Sequence, residues 1–566
     1  MRSWKGVSNT AVAAIVIILI IIGITAAYFA TKGGGGATTT SQAGTTTQTG
    51  GGTATTSQTS TETGSQTTTT STQTSTAQFK DTIVIGVTDK VTDLDPANAY
   101  DFYTWEVLTN VMSGLVKYKP GTSQIVPDLA TNWTVSDDGK VWTFKLRTDA
   151  KFADGTPCTA HDVVRSIKRV MTIKGDPSWL VTSFVEDVKA LDDYTVQFTL
   201  KQPVSYFLAL LATPPYFPVS PNYPDDKIVS DATWGGCGPY MIEKWERDVQ
   251  LVLKANPYYY GEKPKTETVV VKFYQDANSL ELALRNHEID IAWRTLNPEQ
   301  IQSFEKDSNF KVITVPGSYI RYLVLNTQME PTNNKLVRQA LAAALDRQDI
   351  ADSVFLGMVD PLYSMVPVGL WSHVDVFKEK YGDANVKMAK QLLAKAGYDE
   401  NNKLHIELWY TPTHYGDTEA DLAQVIKDQW ESTGVITVDI KSAEWAQYTS
   451  QLRNGTMMVS LLGWYPDYID PDDYLTPFLH SEANGWTGTG YSNPTVDKLL
   501  DKAATLTDQQ QRAQLYEQVQ QILADDAPFI PLIQGKLFIV TTPNVGGITL
   551  GPTMLLPYSL LYATTG

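Results

Sequence analysis

The sequence predicts a mixed α/β fold of two or three lobes, preceded by a membrane anchor and a disordered linker. Three observations support this prediction. Residues 11–30 form an apolar run without a charge, residues 33–78 are almost entirely Gly, Ala, Ser, Thr and Gln, and residues 79–566 alternate between helix-like and strand-like patterns. A stretch of about 490 residues is too long for a single hydrophobic core, so we expect more than one lobe.

The apolar run is long enough to cross a membrane, because about twenty helical residues span roughly 30 Å, the thickness of a bilayer core. Arg2 and Lys5 precede the run and only Lys32 follows it closely, a bias that places the N-terminus in the cytoplasm. Lys5 and Gly6, directly before the run, resemble the class III signal of archaeal surface proteins, in which cleavage follows the glycine. An uncleaved signal anchor is the alternative, and both keep the protein anchored.

Residues 1–32 are therefore predicted to be the signal and membrane anchor, and residues 33–78 a disordered linker. The linker contains no aromatic residue and no aliphatic residue larger than Ala, so it cannot bury enough apolar surface to offset the entropy of an ordered chain. As a bare coil it would span roughly 35–40 Å on average. The predicted location is the cell membrane, with the folded part outside the cell.

Net charge and cysteine content limit the possible partners and the possible cross-links of the folded part. The net charge of the sequence is −17, and the negative excess lies in residues 79–566. It argues against nucleic-acid binding, which needs a clustered basic face. An oxidising location permits a disulfide between Cys158 and Cys237, and two buried free thiols are the alternative. The six His are scattered without metal-ligand spacing, so no metal and no cofactor is expected.

Strand and helix patterns follow one another along the folded part. Runs rich in β-branched and aromatic residues predict strands at 83–87, 194–200, 249–254, 268–274, 290–292, 322–326, 404–410 and 435–440. A hairpin is predicted over 133–146, with Asp138 and Gly139 at its turn. Apolar periodicity predicts helices at 160–171, 280–286, 337–355, 384–397 and 419–433. The elements show no regular repeat, so the pattern excludes a solenoid.

Six groups of short motifs follow one another along the folded part. They are DLDP at 93–96 followed by 107–118, FADGTP at 152–157 with TAHDV at 159–163, GCGPY at 236–240, LVLNT at 323–327 with VRQAL at 337–341 and LDR at 345–347, GWYPDYIDP at 463–471, and YSNP at 491–494 with Asp497. The series resembles the extracellular solute-binding proteins of family 5, the peptide-binding group of ABC importers. One departure is Cys237, which stands where Thr is usual.

The resemblance implies a two-lobed α/β clamp of the periplasmic-binding-protein type (type II, with an extra subdomain). Lobe I would comprise residues 79–320 and 536–566, with an inserted subdomain at about 122–232, and lobe II residues 321–535. Such a protein captures oligopeptides between its lobes, closes around them and delivers them to an ABC permease with its ATPase subunits. It performs no covalent chemistry.

The segment at 463–478 (GWYPDYIDPDDYLTPF) is the candidate binding loop, because it combines four Asp with aromatic residues, Pro and Gly. In the peptide-binding members that it resembles, the Asp of a GWxxD element pairs with the α-ammonium of the peptide. The match places this role on Asp467, with Trp464, Tyr465 and Tyr468 as nearby walls. Pro466 departs from that pattern, and Asp470 with Pro471 is expected to form only a turn.

Further aromatic residues are predicted to line the site because they lie in loop-like or motif-adjacent segments: Tyr103, Trp105, Trp486 and Tyr491. Aromatic walls suit sugars as well as peptides, so oligosaccharide capture by the same class of transporter is the alternative function. No sequence motif of a catalytic site is present. A surface glycoside or peptide hydrolase is a third alternative, since a glycosidase needs only two facing carboxylates.

Overall fold

The computed structural model describes residues 78–412, 414–416 and 418–565, which belong to one compact unit. The predicted anchor and all but the last residue of the predicted linker lie outside the described residues. Within the described part of the chain, no helix is long and apolar enough to cross a membrane. The described residues form a mixture of helices and strands, as the alternating sequence patterns predict.

The strands are short except for two. They are β1 (Thr82–Val87), β2 (Val116–Tyr118), β3 (Ile125–Pro127), β4 (Ala130–Val135), β5 (Val141–Leu146), β6 (Val185–Asp192), β7 (Thr195–Leu200), β8 (Tyr240–Glu246), β9 (Gln250–Ala255), β10 (Thr268–Phe273), β11 (Ile291–Trp293), β12 (Lys311–Leu325), β13 (Val359–Pro361), β14 (Leu404–Tyr410), β15 (Ile436–Ser442), β16 (Val459–Trp464), β17 (Phe529–Thr541), β18 (Val545–Gly546) and β19 (Tyr562–Ala563).

The α-helices lie between the strands. They are Phe102–Val111, Ala160–Ile173, Trp179–Thr182, Phe207–Leu211, Ala277–Arg285, Pro298–Glu305, Lys335–Ala343, Arg347–Ser353, Val376–Tyr381, Val386–Lys395, Glu419–Glu431, Trp445–Arg453, Thr476–Leu479, Pro494–Thr505 and Gln509–Asp526. Short 3-10 helices occur at Asp176–Ser178, Pro214–Tyr216, Pro471–Tyr474, Asn484–Thr487 and Tyr558–Leu560.

One large mixed sheet carries most of the molecule. Its strand order is β15-β14-β16-β12-β17-β11-β1-β10-β9-β8, and β13 pairs with β17 beside this path. β1 runs parallel to β10 and β11, and β14 runs parallel to β15 and β16, whereas β12 and β17 are antiparallel to their neighbours. Parallel pairs with intervening helices are typical of α/β folds.

The two long strands, β12 and β17, connect two large hydrophobic cores. Ile539 and Leu537 at one end of β17 belong to the first core, which also contains β1, β9 and β10, whereas Phe529–Ile533 at the other end belong to the second core with β14–β16. The register between β12 and β17 is irregular from Pro316 to Ile320, between the two cores. Gly535 is required at this irregularity, because a Cβ there would lie 1.6 Å from the Tyr319 ring.

A separate four-stranded antiparallel sheet, of order β4-β5-β7-β6, lies within residues 122–232. The predicted hairpin over 133–146 is confirmed as β4 and β5, and Gly139 takes a φ of +70° at its turn. The helix Ala160–Ile173 packs on this sheet, and it begins with a capping box between Thr159 and Asp162. The FADGTP and TAHDV motifs therefore shape a turn and a helix start.

One predicted helix does not match the structure, and the structure decides between the two alternatives for the cysteines. The predicted helix over 337–355 is wrong as a single helix, because Lys335–Ala343 ends and Arg347–Ser353 begins anew, capped by Asp346, whose carboxylate accepts from the Asp349 N–H at 3.0 Å. Of the two alternatives for the cysteines, the structure has the second, because Cys158 and Cys237 are buried free thiols. Burial, followed by the neighbouring Cys158, raises the pKa of the Cys237 thiol well above its usual value.

Candidate functional site

A cavity of about 490 Å³ lies between the loops of the first core and those of the second. The first core contributes the start of the helix Phe102–Val111 and loop residues near it, and the second contributes the end of β16 and the loop that follows. Nearly half of the lining residues are Phe, Tyr or Trp. The lining residues used below are Asp89, Tyr100, Asp101, Phe102, Tyr103, Trp105, Arg294, His414, Tyr415, Trp445, Trp464, Tyr465, Asp467, Tyr468 and Trp486.

β16 delivers the predicted binding loop to the edge of this cavity. Trp464, its last residue, pairs with Ile320 of β12, and Gly463 pairs with Arg321. A Cβ at Gly463 would lie 2.6 Å from Nη1 of Arg321 and 2.9 Å from the Tyr415 ring, so a larger residue here would displace these two side chains. The chain then leaves the sheet and passes through Asp467 into the 3-10 helix Pro471–Tyr474.

The carboxylate of Asp467 points at the cavity and accepts a hydrogen bond from the Tyr100 hydroxyl at 2.7 Å. Tyr100 comes from the opposite side of the cavity, where it precedes the helix Phe102–Val111, and its side chain is 39% exposed. Burial raises the pKa of Asp467 to about 7, although the Tyr100 hydrogen bond acts in the opposite direction. Asp467 is thus a partly desolvated acid at the cavity wall.

A second carboxylate lies directly behind Asp467. Asp473 is fully buried, and its Oδ2 accepts from Nε1 of Trp464 at 3.1 Å and from the backbone N–H of Asp467 at 3.0 Å. Its Oδ1 has no hydrogen-bond partner among the described residues. Burial, and then the charge of Asp467, raise the pKa of Asp473 well above its usual value. Among the described residues, no Lys or Arg pairs with this Asp467–Asp473 pair.

The predicted aromatic walls lie around the cavity. Tyr465 stacks on Tyr319 with ring centroids 5.1 Å apart, and Trp464 packs on Trp486 at 5.5 Å. Tyr468 stacks on Tyr206 at 5.1 Å and donates to Asp472 at 3.0 Å. These contacts hold the aromatic side chains of the cavity wall against neighbouring residues.

Tyr103 and Trp105, from the helix Phe102–Val111, also border the cavity, but both are largely buried. The Trp105 indole donates to the Ala99 carbonyl at 2.8 Å, and the Tyr103 hydroxyl hydrogen bonds with that of Tyr558 at 3.1 Å. Tyr491 lies elsewhere: it is absent from the lining of this cavity, and its hydroxyl donates to Asp526 at 2.7 Å. The position of Tyr491 beside a motif in the sequence does not place its side chain at this cavity.

Asp470 differs from the two acids around it. It caps the 3-10 helix by accepting from the Asp472 N–H at 3.0 Å, as the predicted turn implies. It also forms a bidentate pair with the buried Arg512 guanidinium, at 3.0 and 2.6 Å. The sequence gives no signal for this pairing, because Arg512 lies on a helix that is distant in sequence. Asp470 is therefore a structural carboxylate.

Several lining residues were not found from the sequence. Tyr100 reaches Asp467, Trp445 and His414 stack at 3.6 Å, and Arg294 lies 4.2 Å from the Phe102 ring. These residues come from separate segments and belong to none of the sequence motifs. These residues share only their position around the cavity in the folded chain, and motif spacing in the sequence does not predict that position.

Comparisons with known proteins agree with this fold. The profile of bacterial extracellular solute-binding proteins, family 5 Middle, matches residues 124–486. A probable D,D-dipeptide-binding periplasmic protein of Escherichia coli is 32% identical over 491 residues, 84% of this chain and 92% of the relative. A periplasmic oligopeptide-binding protein of Salmonella typhimurium is 30% identical and covers 83% of this chain and 90% of the relative.

Solved structures show the same architecture. An ABC transporter-associated periplasmic binding protein from Helicobacter pylori, in complex with the peptide STSA, has a TM-score of 0.75 at 28% identity. That match covers 86% of this chain and 99% of the other. A dipeptide-binding protein from a Pseudoalteromonas species, in complex with Met-Leu, has a TM-score of 0.74 at 25% identity and covers 85% of this chain and all of the other.

The fold is thus that of the periplasmic peptide-binding proteins, which serve ABC importers as extracellular or periplasmic binding components. The chain belongs to the extracellular solute-binding proteins of family 5. Members of this family bind solutes for transport and are not enzymes, so the hydrolase alternative is set aside.

Proposed function

We propose that this protein captures a short peptide by binding its α-ammonium at Asp467 and delivers it to an ABC permease. The observation that carries the proposal is the Asp467–Asp473 pair, two desolvated carboxylates for which the described residues supply no cation. Two such groups repel one another, and a ligand that brings a positive charge relieves the repulsion. An ammonium offers three N–H donors to acceptors in this region.

The relatives support a peptide ligand. Two of them carry dipeptide or oligopeptide binding in their names, and two solved structures of the same fold contain peptides. The aromatic walls around Asp467 add faces that pack on peptide side chains and attract a cation. A buried ammonium–carboxylate contact in such surroundings is a strong, charge-assisted hydrogen bond.

The proposed clamp has residues 79–320 and 536–566 as lobe I, with a subdomain at about 122–232, and residues 321–535 as lobe II. The irregular register between Pro316 and Ile320 supports a hinge there, since the regular ladder of hydrogen bonds is interrupted between the two cores. Gly535, opposite this interruption, supports the same boundary. Closure about this hinge would enclose a ligand between the lobes.

The membrane anchor remains part of the proposal. Residues 1–32 would hold the binding domain outside the cell, and the linker at 33–78 would let it reach the permease. Detergent-dependent extraction of the full chain, compared with a chain that begins at residue 79, tests this. Anchoring predicts that only the full chain sediments with membranes, and equal behaviour of the two would contradict it.

Substitution of Asp467 tests the peptide site. We expect Asp467→Ala to weaken the binding of di- to pentapeptides by about 2–3 kcal/mol, because the ammonium loses its charged acceptor. Isothermal titration calorimetry measures this change, with Asp137→Ala, an exposed Asp far from the cavity, as the control. Unchanged affinity in Asp467→Ala would remove Asp467 from the site.

Oligosaccharide capture is the second candidate, and the aromatic lining favours it. Trp464, Tyr465 and Trp486 present ring faces of the kind that stack on sugars. A thermal-shift screen separates the two, since a bound ligand raises the melting temperature. Stabilisation by oligosaccharides and not by peptides would replace the peptide proposal.

A further inference from the structure

The charged groups of the cavity are predominantly acidic. Asp89, Asp101 and Asp467 all line it, whereas Arg294 is the only Arg and no Lys is present among the lining residues that the structure describes. A peptide has an ammonium at one end and a carboxylate at the other. The cavity therefore offers a charge partner for the first end and raises the question of what receives the second.

Arg294 is already occupied. Its Nε donates to Oδ2 of Asp89 at 2.9 Å and its Nη2 to Oδ1 at 3.3 Å, in a bidentate pair. The guanidinium is also held between two rings, 4.2 Å from the Phe102 centroid and 5.4 Å from the Tyr465 centroid. Burial acts to lower the pKa of Arg294, but Asp89 outweighs it, so the charge is kept and neutralised within the pair.

The other groups that attract anions are also compensated. Burial against its neighbours, followed by Arg321, lowers the pKa of His414 to about 4, so its ring is neutral at pH 7.5. The N-terminus of the helix Phe102–Val111 faces the cavity, but Asp101 caps it by accepting from the Thr104 N–H at 2.8 Å. The nearest helix dipole is thus already matched with a negative charge.

We infer that this site selects peptides that carry a free ammonium but no carboxylate inside the cavity, such as peptides with an amidated C-terminus. The inference rests on the proposed function, since it takes Asp467 as the ammonium site. A carboxylate placed here would lose its water without gaining a cation, because Arg294 is already paired with Asp89 and Asp101 already caps the nearest helix. An amide keeps the shape and hydrogen-bonding groups of that end without the charge.

Dipeptides are the sharpest probes. An extended dipeptide spans only about 7 Å, so its C-terminus remains within the cavity when its ammonium contacts Asp467. A longer peptide could reach a neighbouring cavity of about 830 Å³, where Arg453 is present. The dipeptide confines the comparison to the acidic region.

The test compares leucyl-leucine, its C-terminal amide and its N-acetyl derivative by calorimetry at pH 7.5. We expect the amide to bind about tenfold more tightly than the free acid, equivalent to about 1.4 kcal/mol, and the N-acetyl form to lose binding. Equal or tighter binding of the free acid would overturn the inference but leave the ammonium site intact. If the N-acetyl form binds as tightly as its parent, or if neither the acid nor the amide binds, the proposed function fails as well.

Two variants test the cause of this selectivity. Asp89→Asn releases Arg294 from its partner, so we expect the preference for the amide to shrink about tenfold or to reverse. The double variant Asp89→Asn/Arg294→Gln removes the pair without changing its net charge, so it should leave the ratio of the two affinities within about twofold if Arg294 does not receive the ligand carboxylate. A selective loss of the free acid in this double variant would identify Arg294 as the carboxylate receptor and overturn the inference. Both ligands are measured on each variant, so partial misfolding does not alter the ratio.

Discussion

Two kinds of buried or half-buried carboxylate occur within one short loop, and their surroundings differ. Asp470 pairs with the Arg512 guanidinium at 3.0 and 2.6 Å. Asp467 and Asp473, which lie three positions before and after it, have no cationic partner among the described residues. Burial raises the pKa of all three acids. The difference indicates that Asp470 maintains the loop, and it is the basis for the proposal that the Asp467–Asp473 pair receives a cationic ligand.

The largest expected effect comes from breaking the structural pair. Arg512→Met leaves the Asp470 carboxylate buried without its cation, so we expect the free energy of unfolding to fall by about 3–5 kcal/mol. Chemical denaturation of a chain that begins at residue 79 measures it. The double variant Asp470→Asn/Arg512→Met should recover part of the loss, because it removes the uncompensated charge. A loss below about 1 kcal/mol in the single variant would contradict the structural role.

Asp467, unlike Asp470, should affect peptide binding, and the pH dependence of peptide affinity should show this. With a pKa of about 7 in the free protein, Asp467 becomes protonated as the pH falls and then no longer pairs with an ammonium. We expect affinity to fall about 50-fold between pH 7 and pH 5, approaching tenfold per unit at the lower end of this range. Calorimetry across this range measures it, and the slope should vanish in Asp467→Asn. A flat profile for the unsubstituted protein would contradict the assignment.

The smallest expected effect is a gain in stability. Because burial raises the pKa of Asp467 in the folded state, its ionised form destabilises the ligand-free protein above pH 7, and this penalty disappears as the pH falls toward 4. Asp467→Asn should therefore raise the free energy of unfolding by about 1 kcal/mol at pH 8 and by little at pH 4. Equal free energies of unfolding for Asp467→Asn and the unsubstituted protein at pH 8 would show that ionised Asp467 does not destabilise the folded state.

The motifs predicted the parts of the site that are contiguous in sequence. The GWYPD motif led to the prediction of Trp464, Tyr465 and Asp467, and the structure places all three on the cavity. The same approach failed for Tyr491, which packs against Asp526. It also gave no indication of Tyr100 or Arg294, because these residues reach the cavity only through the pairing of distant strands and the loops between them.

The fold was predictable to a similar extent. Alternating patterns located the hairpin of β4 and β5 and most strands of the large sheet, since local periodicity determines which face is buried. The break at Asp346 was missed because the apolar pattern continues across it, while a side-chain cap starts a new helix. The irregular pairing near Gly535 was also missed, since it depends on the contact of two strands that are more than 200 residues apart.

A crystal structure of the chain from residue 79 with a bound dipeptide would test the central claim most directly. The account predicts that the α-nitrogen lies within hydrogen-bond distance of Asp467, with the Tyr100 hydroxyl displaced or shared. An α-nitrogen held by other groups, with the Asp467–Asp473 pair still lacking a positive charge, would contradict it.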